Sequence, residues 1–229
     1  MHLNNIDNTI DLRRRIIEKS SKLFLTQGYN KTTVRKIAED CGIGRGHLYY
    51  YFKKKEDILL FIYRDFLEKI YEYISNNNNI GSNAMVRYAI SQYLYTYIIV
   101  NSNSLFRIYI EASKVDAIRK EYVSILIDLF NKKGLNKEYK FNEEDIYLSM
   151  TIGCAGESEL LNRYYEKNCS LTLDDIVKST IMTRLLLLHI DYNKINNIIE
   201  EAINIINNLD LDSIKSISEL KTFWAKYIQ

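Results

Sequence analysis

The stretch T32-T-V-R-K-I-A-E-D-C-G-I-G-R-G-H-L-Y-Y-Y-F-K-K-K-E-D57 decides how this chain is read. Thr32 or Thr33 can cap a helix, because a hydroxyl accepts from the free N–H groups of a first turn. Val34, Ile37, Ala38 and Cys41 then recur at helical spacing and form one apolar face. Ala38 is small where a second helix must cross closely. Gly42 suits the left-handed residue that ends a helix, and Ile43 plugs the turn. Gly44 to Phe52 reads as a short second helix with Leu48 and Phe52 inward. Arg45, Gly46, His47, Tyr49 and Tyr50 are left on its outer face. Arg forks to guanine, and Tyr hydroxyls bond phosphate. Gly46 lets the backbone approach a partner closely. Helix, glycine turn, short second helix and the start of a long third one is the layout of a helix-turn-helix DNA reader.

Residues 13–59 resemble the DNA-binding domain of the tetracycline-repressor (TetR) family of bacterial transcription regulators. Arg13, Ile16, Ser20, Leu23, Phe24, Gly28 and Tyr29 stand where that family's first helix has its Arg, Ile, Ala, Leu, Phe, Gly and aromatic. Thr32-Thr33-Val34, Ile37-Ala38, Gly42-Ile43, Gly46, Leu48-Tyr49, Tyr51-Phe52 and Lys55-Glu56 continue the match without a gap. The resemblance implies Thr33, Arg45, Gly46, Tyr49, Tyr50 and Lys55 as DNA contacts. His47 joins them as an outward residue of the second helix. Two positions depart from the pattern. Gly44 replaces the usual capping side chain, and His47 replaces a small residue, so the base preference does not transfer.

Composition fits this reading. The 229 residues contain no proline and only 8 glycines, which suits long helices, since proline breaks them. Apolar content of 47% argues against disorder. The net charge of +2 is unevenly spread: residues 1–56 hold twelve Lys/Arg and six Asp/Glu, whereas the remainder is mildly acidic. A basic head on an acidic body grips phosphate at one end only. Cys41, Cys154 and Cys169 show neither disulfide nor metal spacing. No secretory signal is legible at the N-terminus, and no apolar run is long enough to span a membrane. The chain is therefore expected in the cytoplasm.

The spacing predicts an all-α protein. A loose arm over 1–8 precedes a first helix over 9–27. A long helix over 54–76 joins head to body as a lever and ends at the Asn76–Gly81 break. Further helices are read over 82–101, 103–114, 117–133, 142–167, about 171–189, 193–208 and 212–227. The expected domains are a helix-turn-helix head over 9–53 and a helical effector-binding and dimerisation body over 54–229.

Two sites are expected in the body. Gly153 and Gly156 allow close helix approach, and the Leu185–Leu188 run is apolar all round. Gly153, Gly156, Leu185 and Leu188 are thus read as a dimer interface, because a two-fold operator wants a two-fold protein. In TetR-like proteins the helices after the lever enclose an effector cavity. Tyr88, Tyr93, Tyr97, Phe106, Tyr109, Tyr122, Tyr147 and Met150 are the candidate lining, since tyrosine has an apolar face and one polar handle. The implied effector is a small apolar or aromatic molecule.

Enzyme chemistry finds little support. The three histidines, His2, His47 and His189, lie far apart, and no Glu-x-x-His pair or phosphate-binding glycine loop occurs. No cofactor or metal is implied. The expectation is a homodimeric repressor, released from a palindromic operator by a small effector. A ligand-independent regulator or activator, controlled by partners or abundance, is the alternative.

Overall fold

The structure is a computed structural model that describes residues 2–76, 80–81, 83–132 and 138–209. Among these residues all regular structure is helical. The head is α1 (His2–Gln27), α2 (Val34–Asp40) and α3 (Arg45–Tyr51). The body is α4 (Lys55–Asn76), α5 (Ala84–Val100), α6 (Asn103–Ser113), α7 (Asp116–Lys132), α8 (Glu143–Tyr165), α9 (Leu173–Leu187) and α10 (Tyr192–Asn208). The expected arm over 1–8 is not seen as such, because α1 runs back to His2. The expected helix over 212–227 lies outside the described residues.

Local chemistry explains the ends. Thr33 caps α2, its hydroxyl accepting from the Lys36 N–H at 3.1 Å. Gly42 takes the left-handed conformation, with φ of 66°. Gly44 begins α3 with no side-chain cap, as its missing side chain requires. Glu56 and Asp57 lie in the first turn of α4, near the positive end of the helix dipole. Asn83, Asn142 and Asp191 cap α5, α8 and α10, and Thr172 with Asp175 forms a reciprocal capping box on α9.

The head closes around Ile16, Phe24, Ile37 and Leu48, all fully buried. Arg13 stacks its guanidinium over Phe61, 4.4 Å from the ring centroid, and so ties α1 to α4. In the body, α5 is the central helix, buried on nearly every side. It packs against α4, α6, α9 and α10. The apolar stripe of α10 (Ile195, Ile198, Ile199, Ala202 and Ile206) covers it, which gives residues 193–208 the structural role the sequence left open. Arg64 of α4 pairs with Asp128 of α7.

One polar cluster sits inside this apolar body. Glu157 of α8 and Arg184 of α9 form a salt bridge at 3.0 Å, with side chains only 4% and 1% exposed. Gln92 Nε2 and Thr96 Oγ1 donate to Glu157 Oε1 at 2.8 and 3.0 Å. Arg184 also donates to Gln92 Oε1 and to the Cys154 sulfur. Gly153 makes room for it, since a Cβ there would lie 2.4 Å from Cγ and Nε of Arg184.

This overturns part of the expected dimer face. Leu185 and Leu188 are buried in the chain's own core, at 0% and 2% exposure, and Gly153 is filled by Arg184. Leu185 and Leu188 face inward because α5 and α10 pack on that side. Of the four expected residues only Gly156 is open to solvent. The large aliphatic side chains that α8 and α9 turn outward are Leu148, Ile152 and Leu186, each more than 40% exposed.

Removing one partner of a buried ion pair leaves a bare charge, at a cost of about 3–5 kcal/mol. Arg184→Met should therefore lower the free energy of unfolding by about that much in urea titration. The double variant Arg184→Met with Glu157→Gln should recover most of the loss. A double variant no better than the single one would show that packing, and not charge pairing, sets the cost.

Candidate nucleic-acid interface and the cavity behind it

The outer face of α3 is built by subtraction. Leu48 and Phe52 are buried, Phe52 against Arg13 of α1 and Phe61 of α4, so the remaining side chains have nowhere to turn but outward. Arg45, Gly46, His47, Tyr49 and Tyr50 are exposed, and Tyr50 most of all at 79%. Thr33 is exposed beside them at the start of α2. Tyr51 is half-buried and packs edge-on against Tyr50, with centroids 5.3 Å apart, and near His47 at 5.7 Å. This packing holds the outward rings in place. Nearby Arg35 and Lys36 pair with Glu39 and Asp40 along α2. The result is a surface of one guanidinium, one imidazole and two phenols, with a glycine between them.

Lys55 is placed differently from the sequence expectation. Its ammonium donates to the carbonyls of Tyr29 and Thr32 at 2.8 and 3.0 Å, and lies 3.8 Å above the Tyr29 ring. Burial lowers its pKa. Lys55 locks the turn between α1 and α2 onto α4, and two of its three donors are spent inside the protein. Tyr29 Oη donates to Glu56 Oε1 at 2.9 Å across the same seam.

That turn is also clamped from the other side. Arg107 of α6 donates to the Leu25 carbonyl at 2.9 Å, and Glu111 accepts from the Asn30 N–H at 2.7 Å. Gly28 lies beneath them with φ of 92°, and a Cβ there would come within 2.9 Å of the Glu111 carboxylate. Head and body therefore meet at residues 25–32, held by α4 on one side and α6 on the other.

Behind this seam the body holds a cavity of about 880 Å³. Its buried end is lined by Tyr63 of α4, Tyr95 of α5, Tyr109 of α6, Tyr122 of α7, and Cys154 and Glu157 of α8. Tyr95 and Tyr122 stack at 6.3 Å, and Tyr63 meets Tyr122 edge-on at 5.8 Å. Burial raises the pKa of all four phenols, so they remain neutral. The rim is charged and exposed. Asp116 pairs there with Arg119 and Lys120, and Glu159 with Arg163.

Three of the expected lining residues, Tyr109, Tyr122 and Tyr147, do line this cavity. The others do not. Tyr88 and Met150 border only a small gap beside Arg184. Tyr93 donates to Asp174 at 2.6 Å and stacks on Tyr97, while Phe106 packs against Tyr164 and Tyr165. Tyr95, from the same aromatic run over 88–109, lines it too, whereas Tyr63 and Glu157 were not expected. Tyr63 sits among the aliphatic residues of the lever helix, where an aromatic residue reads as core. Among the described residues no group of three His, Cys, Asp or Glu could hold a metal ion, and no helix is long and apolar enough to cross a membrane.

An exposed second helix on a three-helix head, carried by an all-α body, is the layout of a helix-turn-helix domain. Residues 16–62 match the family described as bacterial regulatory proteins, tetR family. That match runs from Ile16 of α1 to Ile62 of α4 and so covers the helix-turn-helix head and the start of the lever helix. An uncharacterized HTH-type transcriptional regulator of Bacillus subtilis, YuxN, is 38% identical over 73 residues, which is 32% of this chain and 25% of that protein. The matches span only 17% to 29% of the length of the first three curated relatives. Two solved structures match the fold of most of the chain. RolR in complex with resorcinol has a TM-score of 0.61 at 18% identity, covering 84% of this chain and 95% of that one. Thermus thermophilus FadR, a repressor in complex with lauroyl-CoA, has a TM-score of 0.54 at 17% identity, covering 77% and 93%.

Cys154 provides a check on the cavity. Burial pushes its thiol up to about 11, against the opposing pull of Arg184. A thiol raised by two units holds roughly a hundredth of the usual thiolate at neutral pH, and the thiolate is the nucleophile. Iodoacetamide at mildly alkaline pH should therefore label Cys154 roughly a hundredfold more slowly than a free cysteine, and faster as pH rises. Peptide mapping that finds Cys154 among the first sites labelled would refute its placement.

Proposed function

We propose that this chain is a transcription regulator that binds a palindromic operator as a homodimer, represses from it, and leaves it when a small effector fills the cavity. The observation that carries this reading is the shared use of two helices. α6 turns Tyr109, Ala112 and Ser113 to the cavity, while its Arg107 and Glu111 grip the turn at residues 25–30. α4 turns Tyr63 to the cavity, while its Lys55 and Glu56 hold Tyr29. A ligand that moves either helix moves the seam that aims α3.

A ligand shifts DNA affinity only by as much as it prefers one arrangement over the other. A coupling of about 1–3 kcal/mol, or roughly five- to 150-fold in affinity, is typical. The domain division follows: residues 9–53 read DNA, and residues 54–229 dimerise and hold the effector. Cytoplasmic location follows from the operator as partner.

Arg45, His47, Tyr49 and Tyr50 are the proposed operator contacts, with Thr33 and the Gly46 backbone beside them. In operator-binding assays, Tyr50→Ala should weaken binding to all sequences alike and flatten its salt dependence, as lost phosphate contacts do. Arg45→Ala should cost about 1–3 kcal/mol and relax base preference at one position per half-site. Unchanged affinity in both folded variants would exclude α3 as the reader. The operator itself comes from selection of bound fragments out of a random DNA pool.

The proposed two-fold face is Leu148, Ile152 and Gly156 of α8 with Leu186 of α9. Ile152→Arg should yield a monomer in sedimentation velocity and lose tight operator binding, since the charge would be buried without a partner. A wild-type chain that stays monomeric at micromolar concentration would remove the dimer from the reading.

A further inference from the structure

The buried end of the cavity has a chemistry more specific than its size. Four of its polar atoms make no hydrogen bond within the protein: Tyr63 Oη, Tyr95 Oη, Thr151 Oγ1 and Asn162 Oδ1. Tyr63 is only 6% exposed. Asn162 is oriented by its amide nitrogen, which donates to the Ser158 carbonyl at 2.7 Å and to Ser113 Oγ at 3.2 Å. Its oxygen is therefore presented as an acceptor, and it needs a donor. Buried polar groups left unpaired cost stability, so a cavity that gathers them is suited to a ligand that satisfies them.

Charge narrows the class. Glu157 is the one buried carboxylate at this end, and Arg184, Gln92 and Thr96 already engage it. An ionic ligand group would be buried there without a counter-charge, which is costly. The walls are phenol rings, which favour a flat aromatic partner stacked or edge-on.

We propose that the cavity selects a neutral aromatic molecule carrying at least one hydroxyl donor, seated against Tyr63, Thr151 and Asn162. The inference rests on the reading of this cavity as the effector site, and it names what that site accepts. A volume of about 880 Å³ leaves room for two or more rings. The hydroxyl donates to Asn162 Oδ1 and accepts from Tyr63 or Thr151. No covalent step is involved.

A matched set of probes on the full chain tests it by titration calorimetry: dihydroxybiphenyl, its dimethyl ether, biphenyl dicarboxylate, and the bis-trimethylammonium biphenyl. The diphenol should bind about tenfold more tightly than the ether, and the two ions should not bind. Diphenol should also slow alkylation of Cys154, which lines the same cavity. In the double variant Tyr63→Phe with Thr151→Val, which removes the donors to the ligand oxygen, affinity for diphenol and ether should both fall about tenfold, while the preference for diphenol, set by Asn162 Oδ1, should persist. Tyr63→Phe alone, which removes a single oxygen, should show part of the same loss. Ions that bind as well as the diphenol would overturn the proposed class and leave the effector reading intact. No diphenol binding would also overturn it. Release of operator DNA by a metabolite extract would then show that the effector reading survives without it.

Discussion

The turn between α1 and α2 is the constraint on which the rest depends. Its carbonyls at Tyr29 and Thr32 accept from Lys55, its Leu25 carbonyl accepts from Arg107, and its Asn30 N–H donates to Glu111. Four residues thus join the head to two body helices through backbone atoms. Hydrogen bonds to charged groups are the stronger kind, and backbone partners cannot rotate away. The orientation of α3 is inherited from this seam. Gly28 permits it, since its positive φ and the nearby Glu111 carboxylate leave no room for a side chain.

The body shows how a polar cluster can shape an apolar core. Arg184 needs space, and Gly153 supplies it. Glu157 neutralises Arg184, and Gln92 and Thr96 satisfy the carboxylate that remains. This arrangement joins α5, α8 and α9 behind the tyrosine-lined cavity. It leaves the buried end neutral, while the four phenols supply hydroxyls that burial keeps protonated. The same pair removes the Leu185 side of α9 from any outside partner, because Arg184 and Leu185 both turn into the core. The outward apolar face of α8 and α9 is consequently the other one.

Much was determined by the sequence by itself. The helix-turn-helix reading followed from local rules: a threonine cap, a left-handed glycine and an apolar stripe that uses up one face of each short helix. The exposed residues of α3 were legible because Leu48 and Phe52 had claimed the inside. Helix ends came from caps and turn residues, and apart from the start of α1 they were found to within a few positions. These are short-range properties, decided by neighbours within one or two turns.

Tertiary structure alone decided which face of a wholly apolar helix is buried. The Leu185–Leu188 run carries no periodicity that could tell core from interface, and packing by α5 and α10 settled it. Tyrosines were equally ambiguous. Tyr93 and Tyr97 have the same composition around them as Tyr95, yet only Tyr95 reaches the cavity, because helix rotation selects one in three or four positions. The role of Lys55 depended on carbonyls more than twenty residues away in the chain. Its long side chain could reach outward to phosphate or inward to backbone, and only the fold could choose between them.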